Sequence, residues 1–149
     1  MSAHKKLFGG AVALLSVCVL IALGVAAVQW HQDHTTLTFA GHTYHLEVAR
    51  TTAAQDKGLG DRTSMAADAG MLFVFQNEGT RCFWMKDMHF PLDMVWVDGS
   101  KHVRYIAKDV PVNSYPDAYC PNVPAQYVIE LNAGQATSSH LYVGEALTF

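Results

Sequence analysis

The sequence contains few cysteines, few prolines and few charged residues. Of 149 residues, 3 are Cys and 5 are Pro, and only 15% are charged. So few prolines exclude a collagen-like chain, and an apolar content of 50% excludes disorder. Lys and Arg number 10 against 13 Asp and Glu, so the basic excess typical of nucleic-acid-binding proteins is missing. We therefore expect one globular domain with no nucleic-acid partner.

One apolar stretch is long enough to cross a membrane. Residues 7–30 contain no Asp, Glu, Lys, Arg or His. As a helix rising about 1.5 Å per residue, they would extend roughly 36 Å, more than the hydrocarbon core of about 30 Å. Lys5 and Lys6 precede the stretch, and no Lys or Arg occurs in residues 29–34. The positive-inside rule then predicts a cytoplasmic N-terminus.

A cleaved signal peptide is the alternative, because Val25-Ala26-Ala27 resembles a cleavage site. The stretch is longer than the apolar region of a signal peptide, about 7 to 15 residues, and this favours an uncleaved anchor. The predicted organisation is a transmembrane anchor or uncleaved signal at residues 1–30, a connector at residues 31–36 and an exported domain at residues 37–149. Either alternative places that domain outside the cytoplasmic membrane, in the periplasm or the extracellular space.

The exported part shows short segments rich in aromatic and β-branched residues, separated by turn-forming residues. These predict strands at residues 37–39, 42–48, 70–75, 81–85, 92–97, 103–107, 126–131 and near 146–149. The first two form a hairpin around Ala40-Gly41, and a short helix begins at Thr51 and ends at Gly58 or Gly60. Residues 132–141 are a turn or a second helix. The pattern predicts a mainly β fold, either a compact β-sandwich or a partly open barrel, with one or two short helices.

Residues 82–93 are the segment with the densest group of chemically distinctive side chains. On a strand, Cys82, Trp84 and Lys86 share one face, while Phe83 and Met85 share the other. This places an indole, a thiol and an ammonium group in one row, which would suit a ligand-binding strip. The alternative is structural: Trp84 packs in the core and the stem of Lys86 extends to water.

Several spaced motifs resemble the domain-of-unknown-function 192 family over about residues 37–149. They are Gly58-Leu59, Arg62, Met65, the GMLF of residues 70–73, the FWMK of 83–86, the PLD of 91–93 and the YVIELNAG of 127–134. The resemblance implies a compact β-sandwich domain, often behind a signal or anchor, and no known reaction. Members usually have Asn-Thr where this chain has Asp87-Met88, and a bulky apolar residue is common where it has Gly60-Asp61.

The recurring polar positions of that family fall on Arg62, Lys86, Asp93 and Glu130. Two cations and two carboxylates among apolar residues need one another, because an unpaired buried charge costs several kcal/mol. We therefore expect Arg62 to bind Asp93 or Glu130 bidentately and Lys86 to bind the other. The four form either a structural network or, beside Trp84, a cleft that binds a polar ligand such as a sugar.

Cys82 and Cys120 are the disulfide candidates. Closing a loop of about 39 residues would stabilise the fold by roughly 3 to 4 kcal/mol, and exported proteins commonly contain such bonds. The alternative, a nucleophilic Cys82 with His89 as its base, has no supporting motif. None of the 8 His has the spacing of a zinc site, so we expect no metal and no cofactor.

The sequence thus predicts a membrane-anchored extracytoplasmic binding or accessory module at the cell envelope, with a polar small molecule or a glycan as its ligand. The alternative is a hydrolase or lyase that acts on envelope polysaccharide, with Asp93 and Glu130 as acid and base. A purely structural interaction domain is the third possibility. An open aromatic-lined groove favours binding, whereas two carboxyl groups about 5 to 9.5 Å apart across a cleft favour the enzyme.

Overall fold

The computed structural model describes residues 33–149, so the predicted transmembrane helix lies outside the described residues. Within residues 33–149, no helix is long and apolar enough to cross a membrane. The elements are β1 (His34–Phe39), β2 (His42–Ala49), α1 (Thr52–Lys57), β3 (Ala69–Gly79), β4 (Phe83–Trp84), β5 (Leu92–Val97), β6 (Val103–Val110), a 3-10 turn (Val112–Ser114), β7 (Ala118–Tyr119), β8 (Ala125–Asn132) and α2 (Gln135–Ser138). The mainly β class with two short helices is confirmed.

Six strands form one open sheet in the order β1-β2-β3-β8-β5-β6. Its β2–β3 pair is parallel and its other pairs are antiparallel. β4 and β7 form a separate two-stranded sheet. The structure is therefore one large sheet with a small second one, and the large sheet does not close into a barrel.

Local sequence explains the first connections of the sheet. The two-residue turn between β1 and β2 needs positive φ at both positions, which Ala40 and Gly41 supply at 48° and 79°. β2 and β3 are parallel, and a tight turn cannot join parallel strands. Residues 50–68, with α1, make the crossover between them.

The two faces of the sheet bury different side chains, because neighbouring residues of a strand point to opposite sides. Met94 and Trp96 of β5 lie on one face, which we call the cleft face. Asp93 and Val95 lie on the other, which we call the α2 face because Ala136 of α2 packs there. Every residue of β5 is buried, as expected for a central strand covered on both sides.

Three predictions of individual elements need correction. β1 begins at His34, so residues 34–36 of the predicted connector are already part of the sheet. β7 lies in a proline-containing passage where the sequence predicts no strand. The strand predicted near residues 146–149 makes only isolated bridges, from Thr148 to Thr38 and from Ala146 to His102. Residues 144–149 thus contact β1 and also reach the start of β6, the two outermost strands.

Candidate functional site

α1 and the turn after it form one wall of a cleft on the cleft face. The side chain of Thr51 accepts a hydrogen bond from the N–H of Ala54 (3.2 Å) and so caps the start of the helix. Gly58 ends the helix with a φ of 50°. The side chain of Gln55 donates to the carbonyl oxygen of Val74 (2.8 Å), which fixes the helix on β3.

β4 and the residues after it form the opposite wall. Phe83 points into the domain, where its ring packs edge-to-face against Phe73 (4.8 Å between centroids) and Trp96 (5.9 Å). The N–H of Asp61 donates to the carbonyl oxygen of Asp87 (2.8 Å) and joins the two walls at one end.

The outward row at β4 is confirmed. Cys82, Trp84 and Lys86 are exposed, whereas Met85 is buried. The indole of Trp84 is 56% exposed, so the interpretation of this side chain as core is wrong. Tyr115 packs edge-to-face against it at 6.5 Å and holds one side of the ring.

The space between the walls is a cleft of about 490 Å³. A volume of this size lies in the usual range for small-molecule sites, about 300 to 1,000 Å³. It is lined by Gln55, Asp56, Lys57, Gly58, Leu59, Gly60, Phe73, Phe75, Cys82, Phe83, Trp84, Lys86, Asp87, Met88 and Glu130. Three of the five predicted ligand-binding residues, Trp84, Lys86 and Glu130, therefore line one cleft.

Cys82 and Cys120 form the predicted disulfide, with their Cα atoms 4.3 Å apart. The bond lies beside the β4–β7 ladder, in which Phe83 pairs with Tyr119 and Trp84 with Ala118. It therefore holds the wall that carries Trp84. A bonded Cys82 has no free thiol, and the alternative of a nucleophilic Cys82 is wrong for this state of the protein.

Arg62 binds a different carboxylate from the one predicted. Its two terminal nitrogens donate to the two carboxylate oxygens of Glu47, at 2.5 and 2.8 Å. The hydrogen bond from Arg62 lowers the pKa of Glu47, and the pKa of Arg62 is raised by the same contact. The expected pairing with Asp93 or Glu130 is wrong. Arg62 lies after α1 in the crossover between β2 and β3, and the carboxylate that it contacts is Glu47 of β2.

Asp93 lies on the α2 face, across the sheet from the cleft. Its side chain is fully buried, and its two oxygens accept hydrogen bonds from the backbone N–H groups of Asp109 (2.8 Å) and Ala136 (2.7 Å). Two N–H donors satisfy the carboxylate without a cation. Asp93 therefore fastens β6 and α2 to β5 and does not reach the cleft.

Glu130 lies at the floor of the cleft on β8 and is only 5% exposed. Its register partners are Met71 on β3 and Met94 on β5, so apolar side chains flank it on both sides. Burial raises the pKa of the Glu130 carboxyl to about 8. No hydrogen bond or ion pair to this carboxyl is found within residues 33–149. Lys86, the other expected partner, is exposed.

Sequence reasoning missed the α1 side of the cleft. The cleft lining includes Asp56 and Lys57 of α1, and Asp87 after β4, none of which was predicted. Tyr115 packs against Trp84. A capped helix ending in Gly-Leu-Gly was the available signal, since such turns bring backbone close to a neighbouring segment. Within the described residues, no group of three His, Cys, Asp or Glu is placed to hold a metal ion.

The described residues form a small mixed-sheet domain with a lateral cleft. The family model DUF192, described as an uncharacterized ACR, matches residues 35–149. The chain therefore belongs to the DUF192 family. No curated protein matches the chain significantly.

The fold is shared with solved structures of other proteins, among them one from Novosphingobium aromaticivorans and one from Sinorhizobium meliloti. A protein of unknown function from Novosphingobium aromaticivorans is 28% identical, with a TM-score of 0.72 over 78% of this chain and 85% of that one. A protein from Sinorhizobium meliloti, provisionally assigned as a transcription regulator, is 32% identical, with a TM-score of 0.70 over 76% of this chain and 89% of that one. The family and the first structure leave the function open.

Proposed function

We propose that this protein is a binding or accessory module of the cell envelope that holds a polar small molecule, most specifically a carbohydrate, in the cleft between α1 and β4. The observation that supports this proposal is that one cleft is lined both by the exposed Trp84 and by the buried carboxyl of Glu130, which has no partner in the described domain. Small-molecule sites are concave and combine aromatic side chains with a few polar groups, and a buried carboxyl without a hydrogen-bond partner is costly.

The chemistry of the cleft suits a sugar. The flat face of an indole packs against the C–H groups on one face of a pyranose ring, and Tyr115 contacts the indole edge-to-face. Hydroxyl groups at the rim of the ring need donors and acceptors, which Lys86, Asp56 and Asp87 provide at the cleft wall.

The alternative of a hydrolase or lyase is weaker. Its predicted acid and base, Glu130 and Asp93, lie on opposite faces of the sheet, and both oxygens of Asp93 are occupied by backbone N–H groups. A pair of carboxyl groups across one cleft is what such chemistry needs. The arrangement predicted from sequence therefore cannot form.

The cellular location is part of the proposal. We propose that residues 1–30 anchor the chain with its N-terminus in the cytoplasm and residues 37–149 outside. A disulfide supports an oxidising compartment. Alkaline phosphatase, which is active only after export, would be fused after residue 36. Activity that survives deletion of residues 1–30 would contradict the proposed topology.

The proposed partners are the membrane, through residues 1–30, and a glycan in the cleft. We propose no nucleic-acid partner, since acidic residues outnumber basic ones by 13 to 10. The regulator assignment of the S. meliloti protein is not carried over to this chain.

The binding test uses the full chain in a sugar-free detergent, on an array of neutral, acidic and amino oligosaccharides. We expect wild type to bind at least one class, and Trp84→Ala to lose that binding by about tenfold or more, the effect of removing a stacked aromatic contact of about 1.5 kcal/mol. Tyr142→Ala is the matched control, because Tyr142 is 61% exposed but does not line the cleft.

Circular dichroism confirms that each variant is folded. The proposal is wrong if wild type binds none of the oligosaccharides, or if Trp84→Ala binds as tightly as Tyr142→Ala.

A further inference from the structure

Glu130 is an unusual residue for the middle of a sheet. β8 is a central strand, and Glu130 lies in a cross-strand row with Met71 on β3 and Met94 on β5. The next position in this row is Glu47 on β2, which is already bound to Arg62. β3 and β5 thus present thioethers to the carboxyl and offer it no hydrogen-bond donor.

The other charged residues that line the cleft with Glu130 belong to its two walls. α1 contributes Asp56 and Lys57, and the segment after β4 contributes Lys86 and Asp87. Lys57 forms its ion pair with Asp61 instead. No ion pair within residues 33–149 includes Glu130, and burial is the sole cause of its raised pKa.

A comparison with Asp93 shows what is missing. Asp93 is buried to the same degree on the neighbouring strand, yet two N–H groups are directed at its oxygens. Nearly all buried polar groups in proteins have such partners. Glu130 has none within residues 33–149 and lines the cleft, so water or a ligand in the cleft can supply the missing partner.

We infer that Glu130 is the buried hydrogen-bond donor of the cleft and selects a ligand with an uncharged oxygen acceptor, such as a sugar hydroxyl or ring oxygen, over a ligand with an ammonium group. This inference rests on the proposed function of the cleft as a carbohydrate site. A carboxylic acid that keeps its proton donates through O–H and accepts through C=O, which matches a hydroxyl group. An ammonium group instead needs the carboxylate, and a desolvated site with thioethers on both sides disfavours the ionised form.

The first experiment needs no ligand. The chain contains four glutamates, Glu47, Glu78, Glu130 and Glu145. Selective ¹³C labelling of the glutamate carboxyl carbons therefore gives few signals, and the one absent from Glu130→Gln is assigned to Glu130. We expect this signal to titrate well above the others, near pH 8. Titration near pH 4 to 5 overturns the inference and leaves the carbohydrate proposal standing.

The second experiment uses the neutral oligosaccharide bound most tightly on the array and, as the cationic probe, a chitosan oligosaccharide with trimethylated amino groups, whose positive charge does not change with pH. For the neutral probe, the association constant of wild type should fall about tenfold for each pH unit above 8, up to pH 9.5, as the donor ionises. Glu130→Gln still donates through its amide, so it should bind the neutral probe within a few-fold of wild type and without this pH dependence.

Controls separate this inference from the proposed function. Glu78→Gln removes one exposed carboxylate outside the cleft and should behave as wild type. Loss of neutral-probe binding in Glu130→Gln, or cationic-probe binding to wild type at pH 6 that is as tight as neutral-probe binding, overturns the inference. Failure of Trp84→Ala to weaken binding overturns the proposed function instead.

Discussion

At the scale of single residues, two buried carboxyl groups on adjacent strands serve different purposes. Asp93 is held by two backbone N–H groups and fastens β5 to β6 and α2. Glu130, on the opposite face, receives no hydrogen bond within residues 33–149 and borders the cleft. Burial alone therefore does not mark a functional residue. The absence of a partner separates the candidate ligand-binding carboxyl from the structural one.

Glu130 should make stability depend on pH. Its pKa is about 8 in the folded chain and near its ordinary value of 4.5 in the unfolded chain. The folded state then holds the extra proton between these values, so the contribution of Glu130 to stability is complete below about pH 4.5 and is lost as pH rises through 8. We expect the unfolding free energy of wild type to fall by at most about 1.4 kcal/mol per pH unit across this window.

Urea unfolding of wild type and Glu130→Gln between pH 4.5 and 9 measures this dependence. The glutamine variant lacks the titrating group, so the difference between the two curves isolates Glu130 from the histidines. A difference that stays constant with pH would contradict the prediction.

At the scale of elements, the crossover from β2 to β3 sets the position of the cleft. It returns β3 parallel to β2 and leaves α1 beside the open wall at β4. At Gly70 of β3, a Cβ atom would lie 2.6 Å from the carbonyl oxygen of Glu130 and 2.7 Å from Leu46. The close approach of β3 to β8 at this point requires glycine, and it fixes the backbone of Glu130.

Gly70→Ala should destabilise the domain by about 1 to 3 kcal/mol or more, because the colliding oxygen belongs to backbone and cannot rotate away. Gly79→Ala, at the other end of β3, is the matched control. A Cβ there meets only Arg81, at an ordinary 3.6 Å, and should change stability by less than about 1 kcal/mol. Thermal unfolding of the two variants checks this; equal melting temperatures would show that β3 shifts to accommodate the methyl group.

Elements with strong local signals were predictable from sequence. The β1–β2 hairpin, the capped helix α1 and the buried strand β5 each carry their own turn, cap or periodicity. β7 has two residues between prolines, too short for any periodicity, and only its pairing with β4 makes it a strand. Short strands of this kind depend on tertiary contacts that a sequence pattern does not contain.

At the scale of the whole molecule, the cross-link between Cys82 and Cys120 joins positions 38 residues apart. Changing both cysteines to serine should lower the unfolding free energy by roughly 3 to 4 kcal/mol, since the unfolded chain regains the freedom of the open loop. Denaturant unfolding measures the loss, and Cys18→Ser, at the third cysteine, is the control. A double variant that unfolds at the same denaturant concentration as the control would refute this role.

The site was only partly predictable from the sequence, because the meeting of its charged residues depends on tertiary contacts. The residue types and the outward row at β4 follow from alternation along one strand. Which charges meet depends on register and strand order, because a shift of one residue moves a side chain to the other face. The register of β8 and β5 places Glu130 on the cleft face and Asp93 on the α2 face. Arg62 pairs with Glu47, which was not among the predicted residues.

The contact of residues 144–149 with β1 and the start of β6 has a consequence for self-association. An open sheet leaves unpaired backbone groups along both borders, which invite strands of a second copy to add on. Here the hydrogen bonds from Thr38 to Thr148 and from Val103 to Glu145 occupy part of each border. One short segment thus covers part of both open edges and leaves less backbone free to pair with a second copy.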